Sequence, residues 1–158
     1  MLQQAYKPLT SGHGSFDFAT YFEGATSAKG FVENRFGRRK RSFDADFHGE
    51  WCNDIFLLHE SFVFCDSKTE QRIWRVHFGG TDSFTTTCIA AVGHGTGHHT
   101  ETGCQHHFVY RLPIGKRTVN VRVQECYYAF PPDQLLYRAR IKKWGVLAGT
   151  IFMAFTKV

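Results

Sequence analysis

Between Arg41 and Trp51 the residues alternate without a break. Arg41, Phe43, Ala45, Phe47, Gly49 and Trp51 fall on one face, and Ser42, Asp44, Asp46, His48 and Glu50 on the other. A period of two puts successive side chains on opposite sides of an extended chain, so this segment reads as a half-buried β-strand. Strand signals recur over 26–36, 55–65, 72–78, 84–92, 105–112, 118–128, 135–143 and 146–156. Turn chemistry separates them: Gly37 with its basic neighbours, Asn53-Asp54, Asp66-Ser67-Lys68, Gly79 to Asp82, Pro113 to Lys116, Pro131-Pro132-Asp133 and Gly145. The Gly- and His-rich segment 93–103 reads either as a short strand or as an irregular loop. The count is then about nine or ten strands at spacings of roughly 10–12 residues, the sign of an up-and-down meander. One face is apolar throughout, so the sheet must fold over itself, and closure into a barrel also removes exposed edges. The expected fold is all-β, a single antiparallel up-and-down β-barrel, with a sandwich as the alternative architecture.

One helix interrupts this reading. In residues 15–24 Ser15 is placed to cap a first turn, Asp17 suits that turn, and Gly24 ends it. Phe18, Tyr21 and Phe22 then share a face that can plug one end of the barrel. Residues 1–14, rich in Gln, Ser and Gly, are expected to be a flexible tail before a single domain over 15–158. The 158 residues suit one core, and 42% hydrophobic residues can build it. Aromatics make up 16%, which again favours pleated, half-buried surfaces. No apolar run approaches the roughly 18 residues of a membrane-spanning helix. No secretory leader is visible, and five scattered cysteines argue for reduced thiols, so a cytoplasmic, membrane-peripheral location is expected.

The pattern from Phe16 to Lys157 resembles an uncharacterised proteobacterial family of small lipoproteins. The resemblance rests on Phe22, Gly24, Gly30, Gly37, Gly49, Trp51, Trp74, Leu112, Arg117, Ala139, Lys143, Gly145, Gly149 and Lys157. It implies a lipocalin-like (calycin-type) barrel, in agreement with the meander. Many members carry an acylated N-terminal cysteine, whereas the first cysteine here is Cys52. Where the family tends to show an Asp-Trp pair late in the chain, this sequence has Glu125-Cys126.

Two groups of residues are candidates for a site. Calycin-type barrels enclose a pocket for one small apolar ligand. The residues expected to line it are Phe43, Phe47, Trp51, Trp74, Val121, Val123, Tyr137 and Ala139; a filled core is the alternative. Strand parity adds two carboxylates. If Val119, Val121 and Val123 face inward, so does Glu125; if Phe56, Leu58, Phe62 and Phe64 face inward, so does Glu60. A β-bulge or strand end would turn them to water instead. An inward carboxyl is costly unless paired or protonated, so Glu60 and Glu125 become candidate polar anchors for a ligand, with an Arg as partner.

The second group is His94, His98, His99, His106 and His107, with Cys104 among them. Imidazole and thiolate suit a metal ion or haem iron. The spacing matches no standard motif, and adjacent strand residues such as His98 and His99 must point to opposite faces. No G-x-S-x-G, P-loop or G-x-G-x-x-G is present. The run Arg35 to Arg41 carries five charges around Gly37, within a net charge of +5. It suits a hairpin tip that contacts an anionic membrane surface, and no nucleic-acid recognition motif accompanies it. The expected function is that of a carrier or accessory factor binding a hydrophobic, lipid-derived small molecule. A metal or haem protein and a non-catalytic interaction protein with a filled core are the alternatives.

Overall fold

Each alternating run becomes one strand. The computed structural model describes residues 16–80, 82–130 and 133–158, so Ser15 and the expected tail over 1–14 lie outside the described residues. The strands are β1 (Gly24–Asn34), β2 (Arg39–Cys52), β3 (Ile55–Phe64), β4 (Thr69–Phe78), β5 (Ser83–Thr87), β6 (Ala91–Thr100), β7 (Gly103–Ile114), β8 (Arg117–Phe130), β9 (Gln134–Lys143) and β10 (Val146–Lys157). Each pairs antiparallel with its neighbour in sequence, and β1 pairs with β10. The result is a closed ten-stranded barrel rather than a sandwich; its shortest ladders flank β5, which pairs with β4 only over Arg75–Phe78 and with β6 only over Gly95–His98.

The inward parity is the one that Phe43, Ala45 and Phe47 predict: all three are buried, while Asp44, Asp46 and His48 are exposed. Register slips between Val32 and Glu33, Val92 and Thr96, and Leu147 and Gly149 bend the sheet so that it can close. The segment 84–92 is two strands rather than one. β5 ends at Thr87, and Cys88-Ile89-Ala90 turns into β6 without a glycine or proline. Arg111 does the holding there, donating from Nη1 to the carbonyls of Ile89 (2.8 Å) and Ala91 (3.0 Å). The Gly- and His-rich segment is mostly β6, which bulges between Val92 and Thr96, and its last residues form the β6–β7 turn and the start of β7.

The helix α1 spans Phe18–Phe22. Asp17 is its N-cap, its Oδ2 accepting from the backbone N–H of Thr20 at 2.8 Å. Gly24 follows the C-cap Glu23 with φ +84, as expected of a terminating glycine, and opens β1. Phe18 packs against Phe56, Phe84 and Tyr127, and Phe22 against Phe47, Tyr127 and Phe155. Gly49 lets the helix come this close: a Cβ there would sit 2.0 Å from the Phe22 carbonyl oxygen. Lys157 Nζ closes the helix from below, donating to the carbonyls of Tyr21 and Glu23. The barrel end that holds the β2–β3, β4–β5, β6–β7 and β8–β9 turns is thus stoppered by aromatic rings. The end that holds the β1–β2, β3–β4, β5–β6, β7–β8 and β9–β10 turns is not.

Candidate binding cavity

Above the aromatic stopper the barrel is hollow. A cavity of about 420 Å³ runs from the unstoppered end into the interior. Its walls include Phe43, Phe47, Trp74, Val121, Val123 and Tyr137, together with both carboxylates, Glu60 and Glu125. β8 carries no register slip against β7 or β9, so parity alone delivers Glu125 to the interior, and the same holds for Glu60 on β3. Two expected wall residues are elsewhere. Trp51 has the inward parity, but it lies past the point where Phe22 and Phe56 fill the interior; it packs edge-on against Phe56 and tilted against Phe78 and stays 47% exposed. Ala139 faces in and is fully buried opposite Glu125, yet it is absent from the walls of the hollow.

The floor of the cavity is polar. Arg72 Nε donates to Glu60 Oε2 at 2.8 Å. The Arg72 guanidinium lies over the rings of Phe62 (4.8 Å) and Tyr110 (5.3 Å). Burial pushes the Glu60 carboxyl up to about 7; Arg72 pulls against this and the nearby Glu125 charge adds to it. Beside this pair runs a second chain of contacts. Tyr137 O–H donates to Glu125 Oε2, Glu125 Oε1 meets His106 Nδ1 at 2.6 Å, and His106 Nε2 meets Thr86 Oγ1 at 2.6 Å. Gly95 makes room for the last contact, since a Cβ there would fall 2.3 Å from Thr86 Oγ1 and 2.7 Å from His106 Nε2. Burial also pushes the phenols of Tyr127 and Tyr137 well up, with the Glu125 charge acting in the same direction, so both stay neutral donors.

Arg72 was not among the expected residues, although it shares parity with Trp74, and parity also puts Phe62 and Phe108 on the wall. A larger, shallower hollow of about 850 Å³ lies on the outer face of β2, β3 and β4, along Asp46, His48, His59 and Ile73. Its outward polar side chains, Asp46, His48, His59 and Gln71, are exposed or half-buried, and the buried polar pair that borders it, Glu60 with Arg72, is the one that also lines the interior cavity. The interior cavity is therefore the candidate site.

Residues 3–157 match the family model DUF3833, a protein family of unknown function. The chain belongs to the DUF3833 family. No curated protein matches it. Among solved structures, the S-type phycobiliprotein lyase CPES from Guillardia theta superposes with a TM-score of 0.66 at 7% identity, over 89% of this chain and 90% of that one. The likeness is one of fold, and it makes the DUF3833 barrel lipocalin-like.

The histidines of this DUF3833 chain do not converge. Strand alternation sends His94 and His98 outward on β6 and His107 outward on β7. His99 turns inward at the stoppered end, where Phe18 N–H donates to its Nε2 at 3.1 Å and its ring stacks on Phe78. Burial lowers its pKa, which suits an imidazole used as an acceptor. His106 turns inward to Glu125 and Thr86. Among the described residues no three His, Cys, Asp or Glu side chains come together as metal ligands, so the expected set His94, His98, His99, His106 and His107 is not one site. Cys104 is buried beside them, and burial pushes its thiol well up, which leaves it a small apolar filler.

Proposed function

We propose that this barrel binds a largely apolar, lipid-derived small molecule as a carrier or accessory factor. The observation that carries the reading is the hollow itself: about 420 Å³, aromatic and aliphatic on its walls, open at one end and floored by a buried polar cluster. That size is within the range of small-molecule sites, and a few convergent polar groups in an apolar cleft are what fixes a ligand's orientation. Glu60, Arg72, Glu125 and Tyr137 are the groups that would meet the polar end of such a molecule. Phe43, Phe62, Trp74 and Val123 would cover its apolar part.

Two measurements test this. Native mass spectrometry of untagged protein, purified without a metal column, should show a lipid-sized adduct that denaturation releases. N-phenyl-1-naphthylamine, an apolar fluorophore, should bind with one-to-one stoichiometry, and Val123→Trp should abolish that binding while keeping the unfolding transition cooperative. A bare mass together with no fluorophore binding to the wild-type chain would refute the reading.

A further inference from the structure

The two ends of the barrel differ in charge as well as in closure. At the stoppered end the β2–β3, β4–β5, β6–β7 and β8–β9 turns each carry one acid among the described residues, Asp54, Asp82, Glu101 and Asp133, and no base. At the open end the β1–β2 turn carries Arg35 and Arg38, the β7–β8 turn carries Lys116, and Lys143 leads into the β9–β10 turn. The strands in the order β2-β1-β10-β9-β8-β7 are contiguous in the ring, so these three hairpins form one continuous arc over six of ten strands.

The tips of the same three hairpins carry large apolar side chains that nothing in the fold covers. Phe36 is 72% exposed and Trp144 is 90% exposed, and Ile114 and Val146 are exposed beside them. The cations sit against the rings: Arg35 lies 4.7 Å from the Phe36 centroid and Lys143 lies 5.1 Å from that of Trp144. A monomer in water gains nothing by presenting its aromatic rings at turn tips. Single protruding rings flanked by Lys and Arg match one surface well. The rings enter the headgroup region of a bilayer, and the cations meet anionic lipid heads. A nucleic acid would use the cations but would give Ile114 and Val146 no partner.

We infer that the open rim of the barrel, from Phe36 through Trp144 to Ile114, docks on the surface of an anionic lipid bilayer with its cavity mouth facing the lipid. This goes beyond the binding reading and does not depend on it, because docking is measured without a cavity ligand.

The test is co-sedimentation of the full chain with vesicles of phosphatidylcholine, and with vesicles of phosphatidylcholine mixed with phosphatidylglycerol. The chain should sediment with the mixed vesicles, and a blue-shifted tryptophan emission should report burial of Trp144. Arg38→Glu with Lys143→Glu should weaken binding by at least about tenfold. Phe36→Ser with Trp144→Ser should weaken it by about tenfold or more. Phe36, Arg38 and Trp144 lie in the turns, while Lys143 ends β9 with its Nζ donating to the Asn120 carbonyl at 2.7 Å, so an unchanged thermal midpoint of each variant checks that the fold is kept. Asp54→Lys at the stoppered end should leave binding as it is. Three outcomes would overturn the inference: a wild-type chain that stays in the supernatant with the mixed vesicles; Phe36→Ser/Trp144→Ser binding equal to wild type, which means plain adsorption of charge; or RNA homopolymer displacing the vesicles, which assigns the arc to nucleic acid.

Discussion

Glu60 should make the barrel less stable as pH rises from about 4.5 to about 7, and replacing it should remove that loss. The carboxyl is buried, and its proton leaves at about 7 in the folded chain against 4.5 in an unfolded one. Below 4.5 it is protonated in both states and the pH has no leverage through it. Between the two values the unfolded chain sheds the proton first, so unfolding becomes more favourable; above 7 the whole effect is present. At 1.36 kcal/mol per pKa unit the loss is about 3 kcal/mol. The groups facing Glu60 decide the sign. Arg72 and Trp74 on β4 favour the charged carboxylate, while desolvation and Glu125 on β8 oppose it and win. Glu60→Gln mimics the protonated form and cannot titrate. The gap in unfolding free energy between Glu60→Gln and wild type should therefore move in favour of the variant by about 3 kcal/mol between acid and mildly alkaline pH. In a chain of this length that is roughly 6–12 °C in thermal midpoint. Urea unfolding of both proteins across a pH series measures it, and groups common to both cancel in the difference. A gap that does not change with pH would show that Glu60 is not desolvated. A gap that moves against the variant as pH rises would show that the Arg72 ion pair outweighs burial.

Two other changes address the stopper. Gly49→Ala puts a Cβ where the Phe22 carbonyl oxygen is 2.0 Å away and Phe56 Cζ 2.5 Å away, so helix or strand must shift; overpacking of this kind should cost about 1–3 kcal/mol, read as a lower thermal midpoint. Lys157→Met keeps the apolar stem but leaves the Tyr21 and Glu23 carbonyls without their ammonium donor. It should cost about 1–3 kcal/mol, and hydrogen exchange should speed up at α1 amides while β8 and β9 keep their protection.

Much of this architecture is legible in the sequence because a strand's period is two and its turns are chemically marked. Glu60 and Glu125 show the strength of the argument: each follows from the parity of its strand once no bulge intervenes. The failures have physical causes too. The turn at Cys88-Ile89-Ala90 carries none of the usual residues; the Ala91 N–H closes it on the Cys88 carbonyl at 3.0 Å, and Arg111, distant in sequence, braces it by donating to the Ile89 and Ala91 carbonyls. Trp51 obeys parity, yet parity does not say how deep the hollow runs, and the helix had already filled that level. Arg72 was missed for a different reason. A cation on an inward position makes sense only after its partner Glu60 is known to lie across the β3–β4 ladder, at the register position directly opposite. The histidines cluster in sequence but separate in space, since one strand places alternate residues on opposite sides of the wall.

The abundance of aromatic residues leaves a filled core and a hollow barrel equally open on sequence grounds, and the structure resolves the choice by doing both. Phe18, Phe22, Phe56, Phe155 and Tyr127 pack ring against ring at one end. That cluster supplies a close-packed core, so the other half need not be one. Protein interiors hold few voids larger than a water molecule, so an open hollow of this size is not a packing defect. Nor does a barrel need two carboxylates and a guanidinium inside it to close. Apolar side chains of similar volume would serve stability as well or better, because charges taken from water must be compensated. The polar floor is best understood as serving what enters the hollow. The unequal ends agree with the proposed function, since the acidic end is stoppered by aromatic rings and the end onto which the cavity opens carries the basic rim.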